Sequence, residues 1–207
     1  MTIKLISLGS ECDVRYQIDK YNLKYKKTSI ESNFFDWLIS DVDSIINILT
    51  NDINKILTFP NIRLIGYKNN KSIMKIANCN KLISMHDISS KFSFNDIYNF
   101  ILKYKKRYQK LMDLIKSKNK IYFIRKGNIS DEKIVILLEI FNNINPQNNI
   151  TLILLRTDIK NHYLFNKKVI CINFNKIQLT KNNNNWKNDN YAWDLLFDFI
   201  FELSKDN

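Results

Sequence analysis

The chain has 207 residues, of which 45% are hydrophobic and 13% aromatic, and its formal net charge at pH 7 is +12. A chain of this length and composition can bury a substantial core, which excludes an intrinsically disordered protein. No apolar run reaches the length of a membrane span, and no secretory cleavage signal follows Met1. We therefore expect one domain over residues 1–207 in a cytoplasmic protein.

The positive charge does not by itself indicate a nucleic-acid partner. Lys predominates over Arg, and the chain is rich in Asn and Ile but poor in Gly and Pro, as AT-rich coding would produce. This bias spreads Lys over the whole chain, and no nucleic-acid-binding motif accompanies it. We expect no specific nucleic-acid binding, and a source with an AT-rich genome, such as a parasite or a giant virus; a viral protein would act in the host cytoplasm or the virion.

The cysteines and histidines exclude several kinds of site. Cys12, Cys79 and Cys171 are widely spaced and form no CxxC pair, which predicts neither a disulfide framework nor a zinc site. His86 and His162 are the only histidines, and we expect no metal and no other cofactor.

The first predicted strand and helix place a thiol at their junction. Residues 3–9 are typical of a short buried strand, and a helical pattern starts near Cys12. Unpaired main-chain N–H groups and the positive end of the helix dipole predict a lowered pKa for the Cys12 thiol. The structural alternative is that Ser10 merely caps the helix and that Cys12 is a small buried residue.

The following elements alternate between helix and strand. Asp41 is predicted to cap a helix, and Asn69–Asn70 is predicted to be the turn of a hairpin or flap between strands at 61–67 and 72–76. A long amphipathic helix is predicted from Ser93 to about Ser117, and its Lys-rich side is interpreted as a solvated face. Further strands are predicted at 121–125, 150–155 and 168–173, with a helix from 130 to 142, an Asn-rich loop at 182–185 and a final helix after Trp186.

This alternation predicts a three-layer α/β domain with a mostly parallel, doubly wound sheet, Rossmann-like or SGNH-like, and flanking helices. Ligands of such sheets bind at the carboxyl ends of the strands. Cys12, Arg125 and Arg156 each follow a predicted strand, so we expect them near one cleft, which Asp36 and His86 would reach from loops.

Two short segments carry further candidates. Asp36 lies between Phe35 and Trp37, and it is either a carboxylate in the apolar wall of a site or the cap of a turn. His86 follows an apolar stretch and precedes Asp87, and a lone His of this kind is more often structural than catalytic. His162 is interpreted as a surface residue.

Four motifs in this order resemble a known family. They are Ser7–Cys12 (SLGSEC), Phe35–Trp37 (FDW), His86–Asp87 (HD) and Phe123–Arg125 (FIR). The sequence is similar, over residues 5 to about 125 and more weakly around Trp186 and Trp193, to a family predicted to be papain-like cysteine peptidases, which occurs in bacteria and large DNA viruses. Phe34 departs from the Pro that the family tends to have. The resemblance implies that Cys12 and His86 form a catalytic Cys–His pair.

The predicted fold differs from the one that this family label implies. A papain-like fold carries its Cys on a long central helix and its His on a later barrel-like sheet. The predicted position of Cys12 is more similar to that of the nucleophile in SGNH-type esterases and small tyrosine phosphatases. The phosphatase loop needs Arg where this chain has Ile18, and no His follows His162 to complete an SGNH-type Asp-x-x-His.

The leading hypothesis is a thiol hydrolase or acyl transferase acting on an acyl or peptide bond. Cys12 would attack, His86 would be its base, and Asp36 or Asp87 would orient the imidazole. The N–H groups of Gly9, Ser10 or Cys12 would hold the oxyanion, and Arg125 and Trp37 would bind substrate. The alternatives are an enzyme that modifies glycans or lipids, in which Cys12 only lines the pocket, and a catalytically silent virion or interaction protein.

Overall fold

The computed structural model describes residues 3–25, 32–147, 149–166, 168–174 and 190–203. Its helices are α1 (Cys12–Lys24), α2 (Val42–Thr50), α3 (Ile53–Ile56), α4 (Phe94–Ile115), α5 (Asp131–Ile144) and α6 (Asn190–Leu203), and a 3₁₀ turn spans Phe59–Asn61. Its strands are β1 (Ile3–Ser7), β2 (Leu38–Ser40), β3 (Ile62–Lys68), β4 (Lys71–Ile76), β5 (Leu82–Ser89), β6 (Lys120–Lys126), β7 (Ile150–Arg156), β8 (Tyr163–Phe165) and β9 (Val169–Asn173). The predicted Asn-rich loop and Trp186 lie outside the described residues.

A mostly parallel sheet forms one half of the fold. Its strands lie in the order β1-β6-β7-β9-β8, and only β8 runs antiparallel to its neighbour. Alternate residues of these strands belong to two hydrophobic clusters, one shared with α1 and α6 and the other with α2, α4 and α5. Because both faces are covered, the strands read as continuous apolar runs. The expected α/β class, with a mostly parallel sheet and flanking helices, is confirmed.

The order of the parallel strands does not confirm the doubly wound arrangement. A doubly wound sheet reverses its strand order at a switch point inside the sheet. Here β1 lies at the edge, and β6, β7 and β9 follow it in chain order. The carboxyl end of β1 is therefore bordered on one side by β6 and on the other by the second sheet, through Ser40 at the end of β2.

That second sheet is antiparallel, with the order β2-β5-β4-β3. The predicted hairpin is confirmed as β3 and β4, which are joined by Asn69 and Asn70 with φ values of 51° and 58°. Two successive left-handed residues between antiparallel strands are typical of a type I′ turn, for which Asn is a favourable residue. The sequence predicts neither of the other two strands: β2 has only three residues, and β5 has an irregular register.

An irregularity in β5 bears directly on His86. Ser84 of β5 pairs with Met74 of β4, whereas Ile88 pairs with Ser72, so more residues lie between the pairs on β5 than on β4. Such a bulge breaks the alternation of side chains and re-aims those within it. His86 lies inside the bulge.

Candidate functional site

Cys12 and His86 are in contact. Cys12 is the first residue of α1 and His86 belongs to β5, 74 residues later, yet Sγ of Cys12 lies 3.4 Å from Nε2 of His86. The pair opens into a cavity of about 610 Å³. The cavity is lined by Glu11, Cys12, Asp13, Ile39, Lys68, Asn69, Lys71, Met85 and His86. These residues come from the start of α1, from β2 and β5, and from the β3–β4 hairpin.

A tight left-handed turn presents Cys12 to the cavity. Gly9 and Ser10 have φ values of 70° and 84°, between the end of β1 and the first turn of α1. The N–H of Ser10 donates to Oγ of Ser40 at 3.1 Å, and a Cβ on Gly9 would lie 2.0 Å from the same oxygen. Only glycine fits there without a shift of its neighbours. A sharp strand-to-helix turn of this kind exposes a nucleophile at the edge of a sheet.

This turn corrects two sequence expectations. Glu11, not Ser10, is the N-cap of α1, and its side chain makes no capping hydrogen bond. The N–H of Ser10, one of the predicted oxyanion donors, is already bound to Ser40. Sequence reasoning did not single out Ser40, because a Ser at the end of a three-residue strand carries no recognisable signal.

Arg125 lies beneath the turn and is absent from the residues that line the cavity. It is buried, and its two terminal nitrogens donate to the carbonyl oxygens of Leu8 and Ser40, each at 2.9 Å. Burial lowers the pKa of its guanidinium to about 10. These contacts tie the end of β1 to the end of β2, so they support a positioning role in place of the predicted contact with substrate. Arg156, also expected at the cleft, pairs instead with Asp158 and Asp131.

Trp37 packs against the histidine. Its backbone has a φ of 64°, and its ring meets the ring of His86 edge-on, with centroids 6.2 Å apart. The indole is half-buried and limits the positions that the imidazole can adopt. It lies beside the candidate base and does not line the cavity.

Asp36, a candidate for orienting His86, is fully buried and bound elsewhere. Its carboxylate accepts hydrogen bonds from Arg15 at 2.6 Å and from the main-chain and side-chain nitrogens of Asn33 at 2.8 and 2.9 Å. Burial raises the pKa of Asp36 to about 6, although Arg15 and Asn33 act in the opposite direction. Asp36 fixes the loop that carries Trp37.

Asp87, the other candidate, is bound to Ser84, to Lys103 and to Tyr104, whose hydroxyl lies 2.7 Å away. Burial would raise the pKa of Asp87, but the hydrogen bonds from Lys103, Ser84 and Tyr104 lower it below its ordinary value. Asp87 thus joins β5 to α4. In the described ranges of the chain, neither Asp36 nor Asp87 is hydrogen-bonded to His86, so the role predicted for them as orienting groups is not supported by contact.

The electrostatic environment of Cys12 differs from the expected one. Burial and the carboxylates of Asp13 and Glu11 raise the pKa of Cys12 to about 11. Lys126 partly compensates these carboxylates, with Nζ 2.7 Å from Asp13 and 3.3 Å from Glu11. The prediction of a lowered pKa is therefore wrong: the helix terminus that was expected to favour the thiolate carries two acidic side chains. A neutral thiol needs a base to become a nucleophile, and His86 is in contact with it.

The β3–β4 hairpin supplies a cationic wall to the same cavity. Lys68 and Lys71 flank the turn at Asn69 and Asn70, and they line the cavity together with Glu11 and Asp13. Within the described part of the chain, no group of three or more His, Cys, Asp or Glu side chains is arranged to hold a metal ion. No helix in these ranges is long and apolar enough to cross a membrane.

Comparisons with known proteins agree with the motifs. The chain is 28% identical over 214 residues to an uncharacterized protein of Acanthamoeba polyphaga mimivirus, an alignment that covers 91% of this chain and 94% of the relative. No solved structure matches the chain. A family model with the description "Putative papain-like cysteine peptidase (DUF1796)" matches residues 3–162, which include the turn, both residues of the Cys–His contact and Arg125. The chain belongs to this family.

Proposed function

We propose that this protein is a cysteine hydrolase that cleaves an acyl or amide bond, with Cys12 as the nucleophile and His86 as its base. One observation carries the proposal: Sγ of Cys12 and Nε2 of His86 lie 3.4 Å apart across 74 residues of sequence and face a cavity of about 610 Å³. A nucleophile within hydrogen-bonding reach of a base is the arrangement that covalent catalysis requires. Membership of a family described as cysteine peptidases supports the same chemistry.

The reaction follows from the neutral state of the thiol. Because the pKa of Cys12 is raised to about 11, Nε2 of His86 accepts the thiol proton as Sγ attacks the carbonyl carbon of the substrate. The bond to the leaving amine or alcohol then breaks, the leaving group takes the proton from His86, and a thioester remains on Cys12. Water, deprotonated by His86, hydrolyses this thioester and restores the thiol.

The oxyanion needs donors other than Ser10. Since the N–H of Ser10 is bound to Ser40, we assign this role to the main-chain N–H of Cys12, in the first turn of α1, where N–H groups have no acceptor within the helix. One such donor contributes about 3 kcal/mol to transition-state stabilisation. Trp37 and the bulge in β5 hold the imidazole, so we propose a Cys–His dyad as the catalytic unit.

The proposal is tested by measuring activity against a panel of fluorogenic esters and peptides. Half of these substrates carry an acidic residue next to the scissile bond. We expect Cys12→Ala to abolish turnover. His86→Ala should lower kcat by about 10²-fold or more, the usual contribution of general base catalysis. His162→Ala is the matched control, because His162 is exposed and lies outside the cavity, and we expect it to leave turnover unchanged.

The same panel discriminates the rival hypothesis of a glycan- or lipid-modifying enzyme. The raised pKa of Cys12 is what favours that rival, since a thiol that only lines a pocket needs no activation. If turnover of any substrate survives Cys12→Ala but not His86→Ala, the nucleophile assignment is wrong. A thioester adduct of Cys12, trapped with a slow ester and detected by mass spectrometry, would support the proposal directly.

A further inference from the structure

The Lys-rich side of α4 borders a second cavity, distinct in its residues from the one at Cys12. This cavity has a volume of about 440 Å³ and is lined by Ser32, Lys103, Lys106, Arg107 and Lys110. The four basic residues recur at intervals of three, one and three, which places them along one stripe of the helix. We call this feature the α4 basic cavity. Lys103, Lys106 and Lys110 are exposed, as the predicted solvated face requires, and the structure adds a concave site beside them.

Arg107 gives the α4 basic cavity a built feature that a solvated charge lacks. One terminal nitrogen of its guanidinium, Nη1, is buried and has no hydrogen-bond partner among the residues that the structure describes. The guanidinium lies over the ring of Tyr104, 5.2 Å from its centroid, and Tyr104 is itself held by Asp87. Buried donors in folded proteins almost always have an acceptor, so this guanidinium keeps an unused N–H, which a ligand oxygen reaches once the side chain turns toward the cavity.

The charges around this donor favour an anion. Among the described residues that line the cavity, each apart from Ser32 is cationic, and none of them is a carboxylate. Lys103 lines the cavity and also connects α4 to the antiparallel sheet, because its ammonium forms an ion pair with Asp87 of β5. Lys106 makes no ion pair with the described residues and is exposed, which leaves its ammonium available to a ligand.

We propose that the α4 basic cavity binds linked phosphate groups of a small molecule. Arg matches two phosphate oxygens with its planar fork, while Lys acts as a point charge beside it. The stripe from Lys103 to Lys110 is about 10 Å long, since a helix rises about 1.5 Å per residue, and this length suits two linked phosphates better than one. A bounded cavity on a single helix favours a small molecule over nucleic acid, whose backbone needs an extended basic track.

The test is isothermal titration of the full chain with inorganic diphosphate, and with orthophosphate in parallel. We expect saturable one-to-one binding of diphosphate. Arg107→Gln and Lys106→Gln should each weaken it by about tenfold, the value of one charge-assisted hydrogen bond. Lys105→Gln is the matched control, because it removes the same charge from the same helix but does not line the cavity, and it should change the affinity less than twofold.

Four results would overturn the proposal. Absence of saturable diphosphate binding would do so, as would an equal loss on Lys105→Gln, which would mean general attraction to a basic surface. Equal affinity for orthophosphate would exclude the linked-phosphate assignment. Tighter binding of a single-stranded RNA, lost in the same two variants, would assign the site to nucleic acid instead. Lys106→Gln keeps the test decisive if Arg107→Gln fails to fold, since Lys106 is exposed.

Discussion

The Oγ of Ser40 accepts a hydrogen bond from the main-chain N–H of Ser10, with 3.1 Å between oxygen and nitrogen, at the junction of the two sheets. The same hydroxyl leaves no space for a side chain on Gly9, and Arg125 binds the carbonyl of Ser40 from below. One serine of a three-residue strand therefore fixes the turn that presents Cys12.

Gly9→Ala should disrupt this turn. The new Cβ would lie 2.0 Å from Oγ of Ser40 on a backbone with a φ of +70°, so both the hydroxyl and the main chain must shift. We expect a loss of about 1–3 kcal/mol in the free energy of unfolding, measured in urea, and at least a tenfold drop in turnover. Gly66→Ala is the control, because its Cβ would meet Ile73 at an ordinary 3.7 Å. Equal effects of both substitutions would contradict the role assigned to the turn.

Glu11→Gln should make Cys12 more reactive. Negative charge beside a thiol raises its pKa, so removing the carboxylate lowers the pKa of Cys12 from about 11. Glu11 makes no side-chain capping bond, and the substitution leaves the start of α1 intact. We expect the rate of iodoacetamide alkylation at pH 8.5 to rise about threefold, as a charge at this range would give.

Mass spectrometry separates this reaction from that of Cys79 and Cys171, which are buried and serve as internal references. Glu132→Gln, on α5, is the control and should leave the rate unchanged. If the wild-type alkylation profile showed a midpoint below the free-thiol pKa of about 8.5, Cys12 would be a resting thiolate and the mechanism of proton transfer to His86 would have to be abandoned.

The parallel sheet could be predicted from sequence because its strands are buried on both faces and therefore form apolar runs bounded by polar turns. The antiparallel sheet could not, apart from its hairpin, because the bulge around His86 breaks the alternation of β5. Cys12 and His86 were singled out through motifs, and the structure places them in contact, although their chemistry stays a prediction. Arg125 resembles a ligand-binding residue in sequence, but its partners are main-chain carbonyls 117 and 85 residues away, which no local pattern can indicate.

Asp87→Asn should reduce the loss of the free energy of unfolding that occurs as the pH falls into the acid range. The pKa of Asp87 is lowered in the folded protein, so its ionised form stabilises the fold above the ordinary Asp pKa of about 3.9, and this contribution is lost as pH falls through the lower folded value. We expect wild type to lose stability in urea below about pH 4 and the variant to lose less over the same range. Asp113→Asn, which removes an exposed carboxylate of α4, should retain the wild-type slope.

Asp36→Asn should alter the pH dependence in the opposite sense. The pKa of Asp36 is raised to about 6, so the fold is favoured while this carboxyl is protonated and loses stability as pH rises from about 4 through 6. The shift corresponds to about 3 kcal/mol across that window. The variant should be less stable throughout, because Arg15 loses its buried partner, yet it should lack this decline.

Asp19→Asn is the matched control for that comparison. It removes the other carboxylate bound to Arg15, but Asp19 is partly exposed and is a minor cause of the raised pKa of Asp36, so a decline between pH 4 and 6 should persist in a slightly reduced form. Urea titrations at half-unit pH steps provide the measurement, and a decline of equal size in Asp36→Asn would rule out Asp36 as its source.

Cys12 stands at the edge of the parallel sheet and His86 within the antiparallel one, so their contact forms only when the two sheets dock. Closing a loop of this length carries a large entropic cost, which long-range packing must repay, and contacts of high sequence separation form late in folding. We expect refolding chains to regain helix and strand signals before Cys12 comes under the influence of His86. Any activity of the dyad would then report the docking of the sheets, and a partly opened chain would be inert while still largely structured.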